Sequence, residues 1–122
     1  MAELLSEEER QAILPALGAA GWGAEPETDS IRKIWKFRSF SEAWAFMSRV
    51  ALLAEKRSHH PDWRNVYNVV DLRLTTHDAG GLTKLDTDMA VVIDKYAGDA
   101  EVQRDQTQEI ECLCRTWHEG KA

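Results

Sequence analysis

Three of the four histidines in this chain fall where chemistry could use them: His59 and His60 in Ser58-His59-His60-Pro61-Asp62, and His77 in Thr75-Thr76-His77-Asp78. Imidazole is the side chain whose ordinary titration range spans neutrality, so it can both give and take a proton there. Trp63 to Tyr67 and Val70 to Thr76 read as two strands joined by a tight turn near Asn68. If they pair as a hairpin, the start of the first and the end of the second share one end of the sheet. His59, His60 and His77 then converge although they are far apart in sequence. Asp86, at the start of the next helix, lies on the same edge. The chemistry this would support is general acid–base proton transfer.

Taken singly, each residue has a plainer explanation. A loop histidine beside proline is more often a solvated turn residue, and a histidine at a strand end is usually structural. Asp86 is accounted for as a helix cap. Trp63 is more often a core residue than a stacking platform. The convergence, not any one residue, is what favours a site.

Rival chemistries fare less well. Three histidines and a carboxylate could ligate zinc, but adjacent histidines rarely both point inward. The chain has no His-x-His or His-x-x-x-His pair, and Cys112-x-Cys114-x-x-x-His118 brings only three ligands. No metal site is expected. Nothing marks a serine or cysteine as an activated nucleophile. Gly80-Gly81 follows no strand-loop-helix phosphate signature.

The elements that must position these residues follow from caps and periodicity. Ser6 and Glu9 form a capping box ahead of a helix whose Ile13, Leu14 and Leu17 share a face. Pro15 inside it predicts a kink or a late start, and Gly21 a stop. Trp22 to Ala24 reads as a short strand, 25–30 as a turn, and Ile31 to Arg38 as a strand with Ile31, Trp35 and Phe37 on one face. Lys33 breaks that alternation. Ser39 and Glu42 form a second capping box for the strongest helix, Phe40 to Arg57. One of its apolar stripes is Trp44, Met47, Ala51 and Ala54; a second is Phe46, Val50 and Leu53. An arc this wide predicts burial on two sides and a subunit interface. Val70, Leu72 and Leu74 alternate with Asp71, Arg73 and Thr75 as a half-buried strand should. Thr83 and Asp86 cap a third helix with Leu85, Met89, Val92, Ile93 and Tyr96 inward. The predicted fold is α+β: a four-stranded antiparallel sheet with helices packed on one face, in the order α-β-β-α-β-β-α. Residues 1–98 form the domain and 99–122 a C-terminal extension, in which Ile110, Leu113 and Trp117 weakly share a helix face.

The bulk numbers fit one globular domain: 122 residues, 43% hydrophobic and 30% charged. A formal net charge of −6 argues against direct nucleic-acid binding, which needs clustered Lys and Arg. The run Arg32 to Arg38 reads as a solvated strand face. The two cysteines, Cys112 and Cys114, are too close for an easy disulfide, which points to a reducing compartment. The acidic N-terminus lacks the order of a signal peptide, and no stretch approaches a membrane span. The expected location is the cytoplasm, with the nucleus within reach by diffusion.

Glu55-Lys56-Arg57-Ser58-His59-His60-Pro61-Asp62-Trp63, Asn65-Val66-Tyr67-Asn68, Leu74-Thr75-Thr76-His77-Asp78 and Gly81-Leu82-Thr83-Lys84-Leu85-Asp86 together closely resemble the pterin-4a-carbinolamine dehydratases. The resemblance runs from about Leu4 to Tyr96. It implies helices on a four-stranded antiparallel sheet, and homodimers joined edge to edge or homotetramers built through the long helix. It implies a pterin substrate, with His59, His60, His77 and Asp86 as catalytic residues and Glu55, Pro61, Trp63 and Thr76 as substrate-binding ones. The implied reaction dehydrates a 4a-hydroxy-tetrahydropterin to the quinonoid dihydropterin and so recycles a pterin cofactor. It needs a proton delivered to the leaving hydroxyl and one removed from N5, which histidines can do with neither metal nor redox cofactor. In the expected division of labour His60 positions the substrate while His59 and His77 exchange protons.

Two departures stand out: Ser58 replaces an Asp common in animal members, and the tail from Gly98 outruns the family's usual end. The other reading the resemblance carries is a binding module, a dimerisation cofactor that meets a transcription factor or other helical partner through the long helix. Retention of all three histidines and Asp86 favours the enzyme.

Overall fold

The structure, a computed structural model, describes residues 2–110. Three helices and five strands run in the order α1 (Glu7–Ala19), β1 (Gly23–Glu25), β2 (Ser30–Lys36), α2 (Phe40–Arg57), β3 (Asp62–Val66), β4 (Val69–Leu74), α3 (Lys84–Ala97) and β5 (Glu101–Val102), with a 3-10 turn at His77–Ala79 before α3. The sheet is antiparallel throughout. Its order is β1-β2-β4-β3, and β5 pairs with β2 beside β1. The expected α+β architecture holds, with one strand more than the sequence pattern predicts. A two-residue strand has no periodicity to read.

Alternation sorts the sheet into two faces. Ile31, Trp35, Val70, Leu72 and Leu74 are buried in the core shared with the helices. Phe46, Val50 and Leu53 of α2 meet them, each side chain contributing about 1.5–3 kcal/mol by leaving water. Trp35 stacks at 5.0 Å from Phe46 and edge-on at 5.7 Å from Trp22. Lys33 also points inward and is 4% exposed. Its Nζ reaches Asp94 Oδ1 at 2.7 Å, between the rings of Trp22 and Trp35. The break in the pattern is thus an ion pair between buried Lys33 of β2 and half-buried Asp94 of α3.

The opposite face holds a smaller cluster of Ile34, Val69 and Ile110. Arg32 spans β2 to Asp71 on β4 through two hydrogen bonds of 2.9 and 2.8 Å. The segment from Glu101 to Ile110 runs along the β2 edge and ends on this side. Gln103 donates its backbone N–H to Ile34 O, and Gln106 Nε2 donates to Arg32 O.

Several local expectations need correction. Pro15 sits inside α1, which already starts at Glu7, so it marks no late start. Pro15 and Gln11 both lie on its exposed side, where water can replace the donor lost to the Gln11 carbonyl. In α2 the stripe containing Phe46, Val50 and Leu53 faces the core, whereas Trp44 is 58% exposed and Ala51 is exposed too. Only half of its capping box forms: Ser39 Oγ accepts from Glu42 N, while the Glu42 carboxylate lies 3.4 Å from Arg38. Leu85 lies outward rather than inward. Gly21 does end α1, at φ +111°, with a Cβ there excluded by Val102. Cys112, Leu113, Cys114, Trp117 and His118 lie outside the described residues. No helix among those described is long and apolar enough to cross a membrane.

Candidate active site

The hairpin forms in the register the convergence requires, with Asp62 opposite Arg73 and Val66 opposite Val69. The start of β3 and the end of β4 therefore share one end of the sheet. His59, His60 and His77 line a cleft of about 220 Å³ there, together with Ser58, Thr75, Thr76 and Asp78. Helix α2 delivers the first two. It ends at Ser58, whose left-handed backbone (φ 51°, ψ 40°) turns the chain back so that His59 N bonds Ala54 O at 3.1 Å. Aspartate and asparagine tolerate this conformation better than most residues, a physical reason for an Asp at this position elsewhere in the resembled family.

The three histidines are not equivalent. His59 is buried, and its Nε2 lies 2.6 Å from Asp86 Oδ1. Asp86 is fully buried. Its Oδ2 accepts from Thr76 Oγ1 at 2.7 Å and from Thr83 N at 2.9 Å. The Thr83 hydroxyl, 2.8 Å from that of Thr76 and accepting from Leu85 N, is left to donate to Thr76. Where the Asp86 carboxyl is ionised it only accepts, and His59 Nε2 then carries the hydrogen that faces it. In the neutral ring Nδ1 is then the acceptor. His60 is exposed, with Nε2 3.3 Å from Glu55 Oε1. His77 is exposed on the 3-10 turn.

The expected substrate-binding residues divide. Thr76 lines the cleft, but its hydroxyl is committed to Asp86. Glu55 touches the site through His60. Pro61 and Trp63 are half-buried and do not line the cleft, and Trp63 packs against the main core instead. Among the described residues no group of three or more His, Cys, Asp and Glu is gathered as a metal ion would need.

Thr83 and Asp29 are parts of the site that the spacing did not reveal. Asp29, at the β1–β2 turn with φ 47°, accepts from Arg10 Nη1 and Nη2 at 2.8 and 2.9 Å and from Leu82 N at 3.0 Å. Its carbonyl accepts from Thr75 Oγ1 at 2.9 Å. It thereby ties α1 to both ends of the loop that carries His77. The Arg10 guanidinium, helped by the Leu82 amide, holds the Asp29 carboxyl below its ordinary range. Gly81 is needed here for space, since a Cβ would collide with the Asp29 carboxylate. No local pattern marks a long-range contact of this kind.

The family model described as pterin 4 alpha carbinolamine dehydratase matches residues 3–96. A protein of Bradyrhizobium sp. strain BTAi1, provisionally named a pterin-4-alpha-carbinolamine dehydratase, is 52% identical over 97 residues, covering 80% of this chain and 96% of its own. A Rhodopseudomonas palustris protein with the same provisional name is 49% identical over 98 residues, covering 80% of this chain and 95% of its own. Among solved structures, a transcriptional coactivator/pterin dehydratase from Brucella melitensis superposes with TM-score 0.73 at 43% identity, covering 79% of this chain and all of that one. A pterin dehydratase-like RuBisCO assembly factor of the alpha-carboxysome shares the fold, with TM-score 0.56 at 23% identity over 64% of this chain and 90% of its own.

Proposed function

The chain belongs to the pterin 4 alpha carbinolamine dehydratase family, and from that premise we propose that it dehydrates a 4a-hydroxy-tetrahydropterin by histidine acid–base catalysis. The C4a–oxygen bond breaks as the hydroxyl takes up a proton and leaves as water. The N5–H bond breaks as its proton passes to a base. The C4a=N5 double bond of the quinonoid dihydropterin forms, which returns the pterin to its recycling route. One histidine acts as acid and one as base, so the pair ends the cycle with the proton count it began with.

The observation that carries this reading is the buried His59–Asp86 contact at the cleft where His60 and His77 are exposed. A carboxylate that fixes an imidazole's tautomer and orientation is how proteins prepare a histidine for proton transfer. In this reading His59, through Nδ1, and His77 exchange the protons. His60, steered by Glu55, positions the substrate.

The test is a coupled assay in which a hydroxylase generates the 4a-hydroxy compound and its loss is followed by ultraviolet absorbance. The chain should accelerate that loss over the spontaneous rate. His77→Ala should lower turnover by about 10²-fold or more, yet leave stability within about 0.5 kcal/mol because the side chain is exposed. Unchanged turnover after single replacement of His59, His60 and His77 would sink the assignment.

Assembly is part of the proposal. We place a homodimer or homotetramer on two features. β3 is an edge strand of the sheet that the described residues form. Phe40, Trp44 and Leu52 of α2 are 46%, 58% and 74% exposed, more apolar surface than a lone helix needs to show. The same α2 face supports the second reading, a helical protein partner. Absence of catalysis together with a monomer whose α2 face stays open would favour it.

A further inference from the structure

Two of the three histidines at the cleft have their rings held by a carboxylate, His59 by Asp86 and His60 by Glu55. Among the described residues no side chain bonds the ring of His77. It stands exposed on the 3-10 turn between β4 and α3. Its place relative to His59 is therefore set by the backbone that carries it.

That backbone is a closed unit. Thr76 N donates to Gly81 O at 3.0 Å and Gly81 N to Thr76 O at 3.2 Å, and the amides of Ala79 and Gly80 also turn back on Thr76 O. The turn buries little of its own: His77, Asp78 and Gly80 are exposed, and Ala79 is half-buried. Apolar packing is too sparse there to locate it, so polar contacts at its ends must. On the α3 side, Thr76 and Thr83 are bonded to Asp86. One such attachment leaves a rigid turn free to rock. Asp29 supplies a second, because its carbonyl accepts from Thr75 Oγ1 and its Oδ2 from Leu82 N.

Asp29 is held in turn. Arg10 meets both of its carboxylate oxygens through Nη1 and Nη2, while Arg10 Nε donates to Leu5 O at 3.1 Å. Leu5 N donates to Leu82 O at 2.9 Å. The contacts close a ring that runs from Asp29 to Leu82, Leu5, Arg10 and back to Asp29. It joins the chain before α1, α1 itself, the β1–β2 turn and the end of the His77 turn. The planar guanidinium serves three acceptor atoms at fixed angles, which a lysine could not do. Neither Asp29 nor Arg10 lines the cleft.

We propose that Asp29 and Arg10 are positioning residues for His77, fixing the 3-10 turn so that its imidazole meets the substrate in register with His59. The inference rests on the dehydratase reading, in which His77 exchanges a proton. Displacing a group that acts on the reacting atoms slows the chemical step. It lowers kcat and kcat/KM together and leaves KM nearly unchanged.

The experiment is a double-mutant cycle on the full chain, assayed below the melting temperature of every variant. Asp29→Asn suits it: asparagine tolerates the left-handed backbone at φ 47°, yet turns one acceptor oxygen into a donor facing donors. It should lower kcat by about 10- to 100-fold and leave KM within about twofold. In a His60→Ala chain the same substitution should cost the same factor. In a His77→Ala chain it should cost less than about twofold, because the group it positions is already gone. Arg10→Lys keeps the charge but gives up the fork. It should show the same dependence on His77 in smaller measure, and it carries the comparison if Asp29→Asn does not fold. Wild-type kcat in the folded variants, a change confined to KM, or an undiminished loss in the His77→Ala chain would overturn the positioning role alone and leave the ring a contact of the fold. No acceleration by the unaltered chain would overturn the dehydratase reading, and the positioning role with it.

Discussion

Both oxygens of Asp86 are committed, one to His59 and the other to Thr76 and Thr83. As the third residue of a capping box it holds the start of α3, and as the partner of His59 it orients an imidazole. Asp86→Asn keeps the shape but places an amide donor against groups that already donate. Either one buried contact fails, at a cost of about 1–3 kcal/mol, or His59 switches tautomer so that Nε2 accepts from the amide. The expected outcome is a lower melting temperature together with lower turnover, since the ring of His59 loses its fixed tautomer. Thermal denaturation and the dehydration assay on one preparation would check it. A variant with wild-type kcat would show that the cap is the residue's whole role. The capping box was legible from Thr83-x-x-Asp86. The histidine partner was only an expectation of nearness, because the sequence does not say which oxygen faces which ring.

At the scale of elements, the junctions around the cleft hold its geometry. Ser58 ends α2 in a left-handed conformation that glycine adopts without penalty. Ser58→Gly should therefore raise stability by about 0.5–1 kcal/mol, measurable in denaturant titration; a loss would mean that the serine side chain itself supports the cleft. The Asp29–Arg10 tie makes a different prediction. The folded Asp29 carboxyl titrates below its ordinary 3.8. Its contribution is then complete above that value and lost as pH falls through the lowered one. Asp29→Asn should be less stable at neutral pH and should show a flatter fall in melting temperature with acidification. Parallel acid limbs in variant and wild type would contradict the linkage. Helix positions were legible because caps and 3.6-residue periodicity are local. Which stripe of α2 faces inward was not, since both stripes are apolar and only docking on Trp35 and Phe37 selects Phe46.

For the molecule as a whole, the segment after α3 completes the sheet. It supplies β5, seats Arg104 on the carbonyls of Gly18 and Ala19 at the end of α1, and lays Ile110 over Ile34 and Val69. The family model matches residues 3–96, so this segment lies beyond the matched part. A chain ending at Gly98 should fold and keep the histidine cleft. It should lose about 2–4 kcal/mol, because Ile34 and Val69, both fully buried, return toward water. Calorimetry would measure the loss. An unchanged melting temperature would mean that the strap adds nothing to the sheet.

The sequence by itself determined what depends on neighbours along the chain. Caps, alternation and turn residues placed three helices and four of the strands, and the spacing of His59, His60 and His77 identified the sheet end where they meet. Tertiary structure decided what depends on partners far apart in sequence. Lys33 looked like an error in a strand until Asp94, 61 residues on, neutralised it inside the core. Asp29 looked like turn chemistry until Arg10 and Leu82 closed on it. The order β1-β2-β4-β3, and with it the ion pair of Glu25 with Arg73, follows from β4 returning to the centre beside β2. Such pairings are fixed by which apolar faces and buried charges can be satisfied together, and that condition exists only once the chain is packed.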